Sequence, residues 1–241
     1  MPKSPQRIAI VSAMHEELQA LLQHMPDEAP VRCAGREFWL GHLEGREVVV
    51  VLSRIGKVAA ATTATALLTQ FDVGRIVFTG TAGGLGDGVR VGDVVVADAL
   101  LQHDMDASPL FPRHEVPLYG RDRFPADATM SDALARAAAA ALEAEGTRVH
   151  RGLMVSGDRF ISERGENDAL RARLPDALAV EMEGAALAQV CHDFGVPFGV
   201  VRTVSDRADD TAHVDFNRFV TEVASRHTLA IIQHYLRALD P

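Results

Sequence analysis

The chain has 241 residues, 47% of them hydrophobic and 24% charged, a length and balance that let it bury one sizeable core without a metal or disulfide staple. A net charge of -9 and a pI near 5.5 argue against the basic face that phosphate backbones or anionic membranes require, so neither nucleic acid nor membrane is expected as a partner. The two cysteines, Cys33 and Cys191, are far apart and lack CxxC spacing, which argues against a disulfide framework or zinc cluster and suits a reduced, cytoplasmic setting.

Residues 1–6 read as a flexible polar tail, and the apolar run behind them is too short for a signal-peptide core. No segment has the apolar length to span a bilayer. In chain order, a strand is expected at Arg7–Ser12, a helix at Glu16–His24, a strand at Val48–Leu52, a helix at Gly56–Gln70, and strands at Arg75–Thr79 and Asp93–Ala97. Leu101–Phe124 holds Pro109, Pro112, Pro117 and Gly120 without a clear period and reads as a long loop, a feature that in compact domains tends to be functional. Helices follow at Asp127–Glu145, Glu166–Leu174 and Glu183–Phe194, the last closed by Gly195 and Pro197, then a strand at Gly199–Ser205 and a helix at Phe216–Leu239. The near-continuous hydrophobicity of the strands implies burial on both faces, as in an α/β sheet covered by helices. There is no repeat, low-complexity tract or linker, so 1–241 reads as one domain.

Four segments with chemical potential sit at or just past predicted strand ends, the edge where open α/β sheets bind ligands. Ser12-Ala13-Met14-His15-Glu16-Glu17 places two carboxylates at a helix start, where they either favour the helix dipole or act on a ligand. Thr79-Gly80-Thr81-Ala82-Gly83-Gly84 is either a tight turn or a place where backbone amides approach a ligand; it lacks the lysine and spacing of a phosphate-binding loop. Val180-Glu181-Met182-Glu183 sets two carboxylates beside apolar neighbours, a costly burial unless they bind something such as sugar hydroxyls; the plainer reading is a solvated helix start. Arg202-Thr203-Val204-Ser205-Asp206 ends an apolar strand on Ser205 and Asp206, for which the plainer role is capping the next turn. Convergence of all four on one crevice would make a site. The ten histidines show no HxxxH or HExxH pattern, so no metal is expected.

Together with Gly56-Lys57-Val58-Ala59-Ala60, Val91-Gly92-Asp93-Val94-Val95, His103-Asp104 and Val155-Ser156-Gly157-Asp158, these segments resemble, in order and from Arg7 to about Tyr235, the 5'-methylthioadenosine/S-adenosylhomocysteine nucleosidases of the purine nucleoside phosphorylase superfamily. The resemblance implies a three-layer α/β/α sandwich with a mixed, twisted central sheet, a homodimer, and hydrolysis of an N-glycosidic bond with no cofactor. It implies that Glu17 activates the attacking water and that Asp206, assisted by Ser205, protonates the purine at N7. It places Glu183 on the ribose hydroxyls with Met182 against the sugar, and Thr81, Ala82 and Gly83 beside the ribose and the water. Phe160 would stack on the purine, Ile161 would offer it backbone hydrogen bonds, and Met14, Ile55 and Phe216 would surround the sugar and 5'-substituent. Glu181 is kept as a further candidate for binding substrate.

His15 stands where an acidic residue is common, Arg54 where a small one is usual and Thr81 where serine is frequent, and Ser108-Pro109-Leu110-Phe111-Pro112-Arg113-His114-Glu115 departs most from the family form. Three other functions are weighed. A phosphorylase needs a fixed cation or amide donors for its anionic nucleophile, and neither Ser12–Glu17 nor Thr79–Gly84 contains Arg or Lys, although Arg54 or Arg202 can fold nearby. A futalosine-type nucleoside would share the ribosyl-purine half and differ at the 5' end. A noncatalytic nucleoside binder would have no need of Glu17 beside its ligand.

Overall fold

The computed structural model describes residues 6–208, 219 and 223–239. The alternating rhythm is realised as β1 (Arg7–Ser12), α1 (His15–Leu22), β2 (Ala29–Cys33), β3 (Arg36–Leu43), β4 (Arg46–Leu52), α2 (Lys57–Gln70), β5 (Val73–Gly84), β6 (Val94–Gln102), β7 (Arg123–Pro125), α3 (Ala128–Ala141), β8 (Val149–Ser156), α4 (Arg164–Arg173), β9 (Ala177–Glu181), α5 (Gly184–Phe194), β10 (Phe198–Asp206) and α6 (Ser225–Arg237). The strands form one mixed sheet in the order β10-β6-β8-β9-β5-β1-β4-β3-β2, with β7 beside β6. β10 also pairs with β5, in parallel register from Phe198↔Ile76 to Asp206↔Gly83. The circuit β5-β9-β8-β6-β10 therefore closes on itself, and β1, β4, β3 and β2 continue outward from β5 as an open wing.

Helices cover both faces, which makes the expected sandwich. On one side Ala64 and Leu67 of α2 and Leu187 and Cys191 of α5 pack on Val11, Val49 and Phe78. On the other, Leu18 and Leu21 of α1, Leu134 and Ala138 of α3 and Ile232 and Leu236 of α6 pack on Ile10, Val50 and Val201. β1 and β4 are almost wholly buried because both their faces meet helix layers, which is why they read as apolar runs.

Several expectations need correction. The segment Thr79–Gly84 is not a turn after a strand: it is the second half of β5, paired with β10 and, through Gly83 and Gly84, with β9. Its glycines serve proximity, since a Cβ on Gly83 would lie 2.9 Å from the Ala208 Cβ and 3.0 Å from Asp206 Oδ1. The long loop is real but shorter than Leu101–Phe124, because β6 runs to Gln102 and β7 begins at Arg123. β2, β3, β8 and β9 add to the expected strands. The Asp127–Glu145 helix ends at Ala141 and passes through a short 3-10 turn at Glu143–Glu145 into the left-handed Gly146. Of the expected Phe216–Leu239 helix, α6 spans Ser225–Arg237; Phe216 lies outside the described residues, as do residues 1–5 of the expected tail.

Asp127 caps α3, its Oδ1 accepting the Met130 amide proton at 2.9 Å. Asp127→Ala should cost about 1 kcal/mol, roughly 2–4 °C in Tm for a domain of this size, whereas Asp127→Asn should stay near the parent. Thermal unfolding of the three proteins side by side checks this, and an unchanged alanine variant would contradict the cap.

Candidate active site

The four chemical segments do converge. Ala13 and Met14 after β1, Ile55 after β4, Thr81, Ala82 and Gly83 in β5, Phe160 after β8, Val180, Glu181, Met182 and Glu183 at the β9–α5 junction, and Ser205 and Asp206 at the end of β10 line a cavity of about 340 Å³. A smaller recess of about 20 Å³ shares Gly83, Phe160 and Asp206 with it and adds Ile161 and Arg159. Apart from Glu17 and the undescribed Phe216, every expected site residue is in one or the other. The mouth is apolar: Ile55 and Phe160 are 59% and 40% exposed.

Glu17 lies just behind this wall and is fully buried. It stands on the first turn of α1, and its Oε2 accepts the amide proton of the cavity residue Met14 at 3.3 Å, which caps the start of the helix. Its Oε1 has no hydrogen-bond partner among the described residues. Burial pushes the Glu17 carboxyl up to about 7, against the opposing pull of the Arg202 guanidinium.

Glu181 and Glu183 are both buried, which sets aside the solvated helix start. They divide the work. Glu181 accepts the amide protons of Glu183 at 3.2 Å and Gly184 at 2.8 Å, the Ser156 hydroxyl proton, and Arg202 Nη2 at 2.7 Å. With both oxygens engaged, the direct substrate role expected of Glu181 does not fit, and the residue instead anchors the start of α5. Glu183 accepts the Gly56 amide proton at 2.8 Å. Its carboxyl is raised above the usual range by burial first and by the negative charge of Glu181 second.

At the end of β10, the Ser205 hydroxyl lies 2.7 Å from Asp206 Oδ2 and 3.4 Å from the Ala82 carbonyl oxygen, while Asp206 Oδ1 accepts the Ala208 amide proton at 2.8 Å. The turn-capping reading of Asp206 is thus correct for one oxygen and leaves the other for the serine. The Ser205 hydroxyl has one proton to give. An ionised Asp206 receives it; a protonated Asp206 can donate to the hydroxyl oxygen, whose own proton then turns to Ala82.

Sequence reasoning named Arg202 only as a residue able to fold nearby. It is completely buried, stacks 4.0 Å over the Phe78 ring, and has no hydrogen-bond partner for Nε or Nη1 among the described residues. A Cβ on Gly80 would sit 3.1 Å from Arg202 Nη1 and 3.5 Å from Glu17 Oε2, so that glycine keeps the space between the two charges clear. The signal was a lone arginine inside the apolar strand Phe198–Asp206, which burial obliges to find a carboxylate. Among the described residues no group of three or more His, Cys, Asp or Glu is placed to hold a metal ion, and no helix is long and apolar enough to cross a membrane.

This crevice is nucleoside-sized and lined by carboxylates, and the comparisons agree with that class: residues 7–237 match the model of the phosphorylase superfamily. The chain is 35% identical to a 5'-methylthioadenosine/S-adenosylhomocysteine nucleosidase from Neisseria meningitidis solved with methylthio-immucillin-A, over 97% of this chain and 100% of that one, with a TM-score of 0.90. It is 32% identical to an S-adenosylhomocysteine nucleosidase from Streptococcus pyogenes solved with 5-methylthiotubericidin, over 100% of both chains, with a TM-score of 0.91. It is also 31% identical to a futalosine hydrolase of Helicobacter pylori, over 97% of this chain and 98% of that one, with a TM-score of 0.88. The chain belongs to the 5'-methylthioadenosine/S-adenosylhomocysteine nucleosidase family of the phosphorylase superfamily. It is accordingly an N-glycosyl hydrolase.

The buried Glu17 carries a stability signature. A carboxyl held near 7 in the fold and near 4.5 when unfolded favours the fold while neutral, and that advantage is complete below about pH 4.5 and lost as pH rises through about 7. Glu17→Gln, which is neutral throughout, should therefore unfold with a free energy higher than the parent by up to about 3 kcal/mol at pH 8 and by little at pH 4.5. Denaturant titrations at the two pH values check this; a gap that does not grow with pH would show that the carboxylate is not held against its solvation.

Proposed function

We propose that this nucleosidase hydrolyses 5'-methylthioadenosine and S-adenosylhomocysteine, releasing adenine and the 5'-thio-substituted ribose. The observation that carries the reading is the placement of the buried Glu183 and Asp206 on one cavity, with the buried Glu17 held behind its wall by the amide of the lining residue Met14. Glu17, with its carboxyl near 7, is ionised in a large fraction of molecules at neutral pH and basic enough to take a proton from water. Water attacks the anomeric carbon, its proton passes to Glu17, the glycosidic C–N bond breaks, and Asp206 delivers a proton to N7 so that adenine leaves neutral. Ser205, 2.7 Å from Asp206 Oδ2, holds that carboxyl in place for the transfer. Glu183 grips the ribose hydroxyls, and its charge favours the cationic ribosyl group that forms as the bond lengthens. Phe160 stacks on the purine beside Ile161.

Phosphorolysis is disfavoured by charge. Glu17, Glu181 and Glu183 stand against one guanidinium, and that guanidinium is already paired with Glu181. A futalosine-type substrate is favoured by one observation, the similarity to a futalosine hydrolase, and involves the same chemistry with a different 5'-substituent. For the assembly we propose a homodimer, since Val58, Leu110 and Leu118 leave apolar side chains 79%, 84% and 91% exposed. For location we propose the cytoplasm, where the free Cys33 and Cys191 stay reduced.

The test is to incubate phosphate-depleted enzyme with methylthioadenosine, with and without added phosphate, and identify both products. Free adenine and a reducing sugar are expected in both arms. Glu17→Gln should lower turnover by at least about 100-fold, and Asp206→Asn should nearly abolish adenine release. Strict phosphate dependence, a sugar 1-phosphate product, or a folded Glu17→Gln enzyme with normal turnover would overturn the assignment.

A further inference from the structure

A second cavity, of about 480 Å³, is lined by His15, Arg32, Arg36, Glu37, Trp39 and Arg54 among others. It shares no lining residue with the catalytic cavity, but consecutive residues serve the two: Met14 and Ile55 line the one, and their chain neighbours His15 and Arg54 line the other. His15 and Arg54 are also the two positions at which the motifs depart toward positive charge.

The wall of this cavity is cationic in a chain whose net charge is -9. Its single carboxylate, Glu37, is taken by Arg32, with Nη2 and Nε at 2.8 and 3.0 Å from Oε1. Arg36 and Arg54 donate only to neutral acceptors: Arg36 to the Thr63 hydroxyl at 2.6 Å and the carbonyls of Ala34 and Ala59 at 2.8 and 3.0 Å, and Arg54 to the carbonyl of Gly35. Among the described residues neither has an ion-pair partner, and the two are close enough that Arg54, after burial, helps push the Arg36 guanidinium below its ordinary value. Arg54 also holds a left-handed backbone, φ 66°, which asparagine tolerates better than most residues. Two unneutralised guanidinium groups converging on a cavity floored in part by Trp39 suit a carboxylate carried on an apolar stem, because guanidinium matches a carboxylate with paired hydrogen bonds.

We propose that this cavity is an anion subsite that receives a free carboxylate at the far end of a nucleoside's 5'-substituent. The proposal rests on the nucleosidase reading, in which Met14 and Ile55 flank the 5' position. Substrates whose 5'-thio group ends in a carboxylate, as in S-adenosylhomocysteine, gain contacts there; methylthioadenosine, which ends in a methyl group, does not. The gain falls on KM, because the subsite holds a part of the substrate that does not react.

The experiment compares kcat/KM for methylthioadenosine, a 5'-carboxyalkylthioadenosine and its carboxamide of equal length, with the intact enzyme and Arg54→Asn. The acid should exceed the carboxamide by about tenfold, as expected of one charge-assisted contact, and the advantage should shrink at high salt. Arg54→Asn should remove that advantage and leave methylthioadenosine within about twofold of the parent. Equal rates for acid and carboxamide in an enzyme that hydrolyses methylthioadenosine would overturn the subsite and leave the nucleosidase reading intact. If none of the three nucleosides is cleaved, the nucleosidase substrate reading fails, and calorimetric binding of acid against carboxamide still decides the subsite. If Arg54→Asn dissociates the assembly in sedimentation and leaves the acid-to-carboxamide ratio unchanged, the cluster holds a second copy of the chain and the subsite is withdrawn.

Discussion

Glu181 and Arg202 meet at 2.7 Å with side chains 3% and 0% exposed, and the catalytic end of the sheet is organised around that contact. A buried ion pair adds little as a unit, but removing one member leaves a charge stranded in the interior, at about 3–5 kcal/mol. The pair is therefore a constraint more than a source of stability. Arg202 comes from β10 and rests on Phe78 of β5; Glu181 ends β9 and takes the Ser156 hydroxyl proton from the end of β8 and the first amide of α5. Four strands and a helix start are thus tied to one point, where the sheet also closes through the β10–β5 pairing.

The same dryness sets the chemistry. Water kept away from the pair is also kept away from Glu17 and Glu183, and loss of solvation is the leading cause of the raised carboxyl of each. Arg202 pulls both back toward ionisation without hydrogen bonding to either in the described structure. A carboxylate in bulk water would be too weak a base for a water proton; one pinned behind Met14 near neutrality is matched to the role proposed for Glu17.

Much of this was legible in the sequence, and the rest was hidden for identifiable reasons. β1, β4, β5 and β10 are buried on both faces, so their apolar runs announced them. β2 and β3 form an antiparallel wing whose outer strand is exposed and carries Pro30 and Arg32, so no apolar run or clean alternation marks it. β9 is only five residues long and owes its place to neighbours on both sides. The Gly-rich segment looked like a turn because glycine reports freedom and close approach alike; here Gly83 is needed beside Asp206 within a continuous strand. The cavity-lining residues were readable as motifs, but the different bonding of Glu181 and Glu183, two residues apart with the same side chain, depended on which of them Arg202 reaches across the sheet.

The claim on which the mechanism turns is that Glu17 is a buried carboxyl poised near neutrality. Carbon-13 NMR of the enzyme labelled at glutamate side-chain carboxyls, with the Glu17 resonance assigned by its loss in Glu17→Gln, reads that ionisation directly. The account predicts a titration midpoint near 7. A midpoint at the ordinary glutamate value of 4.5 would contradict it, because Glu17 would then be a solvated carboxylate too weak for the role proposed for it.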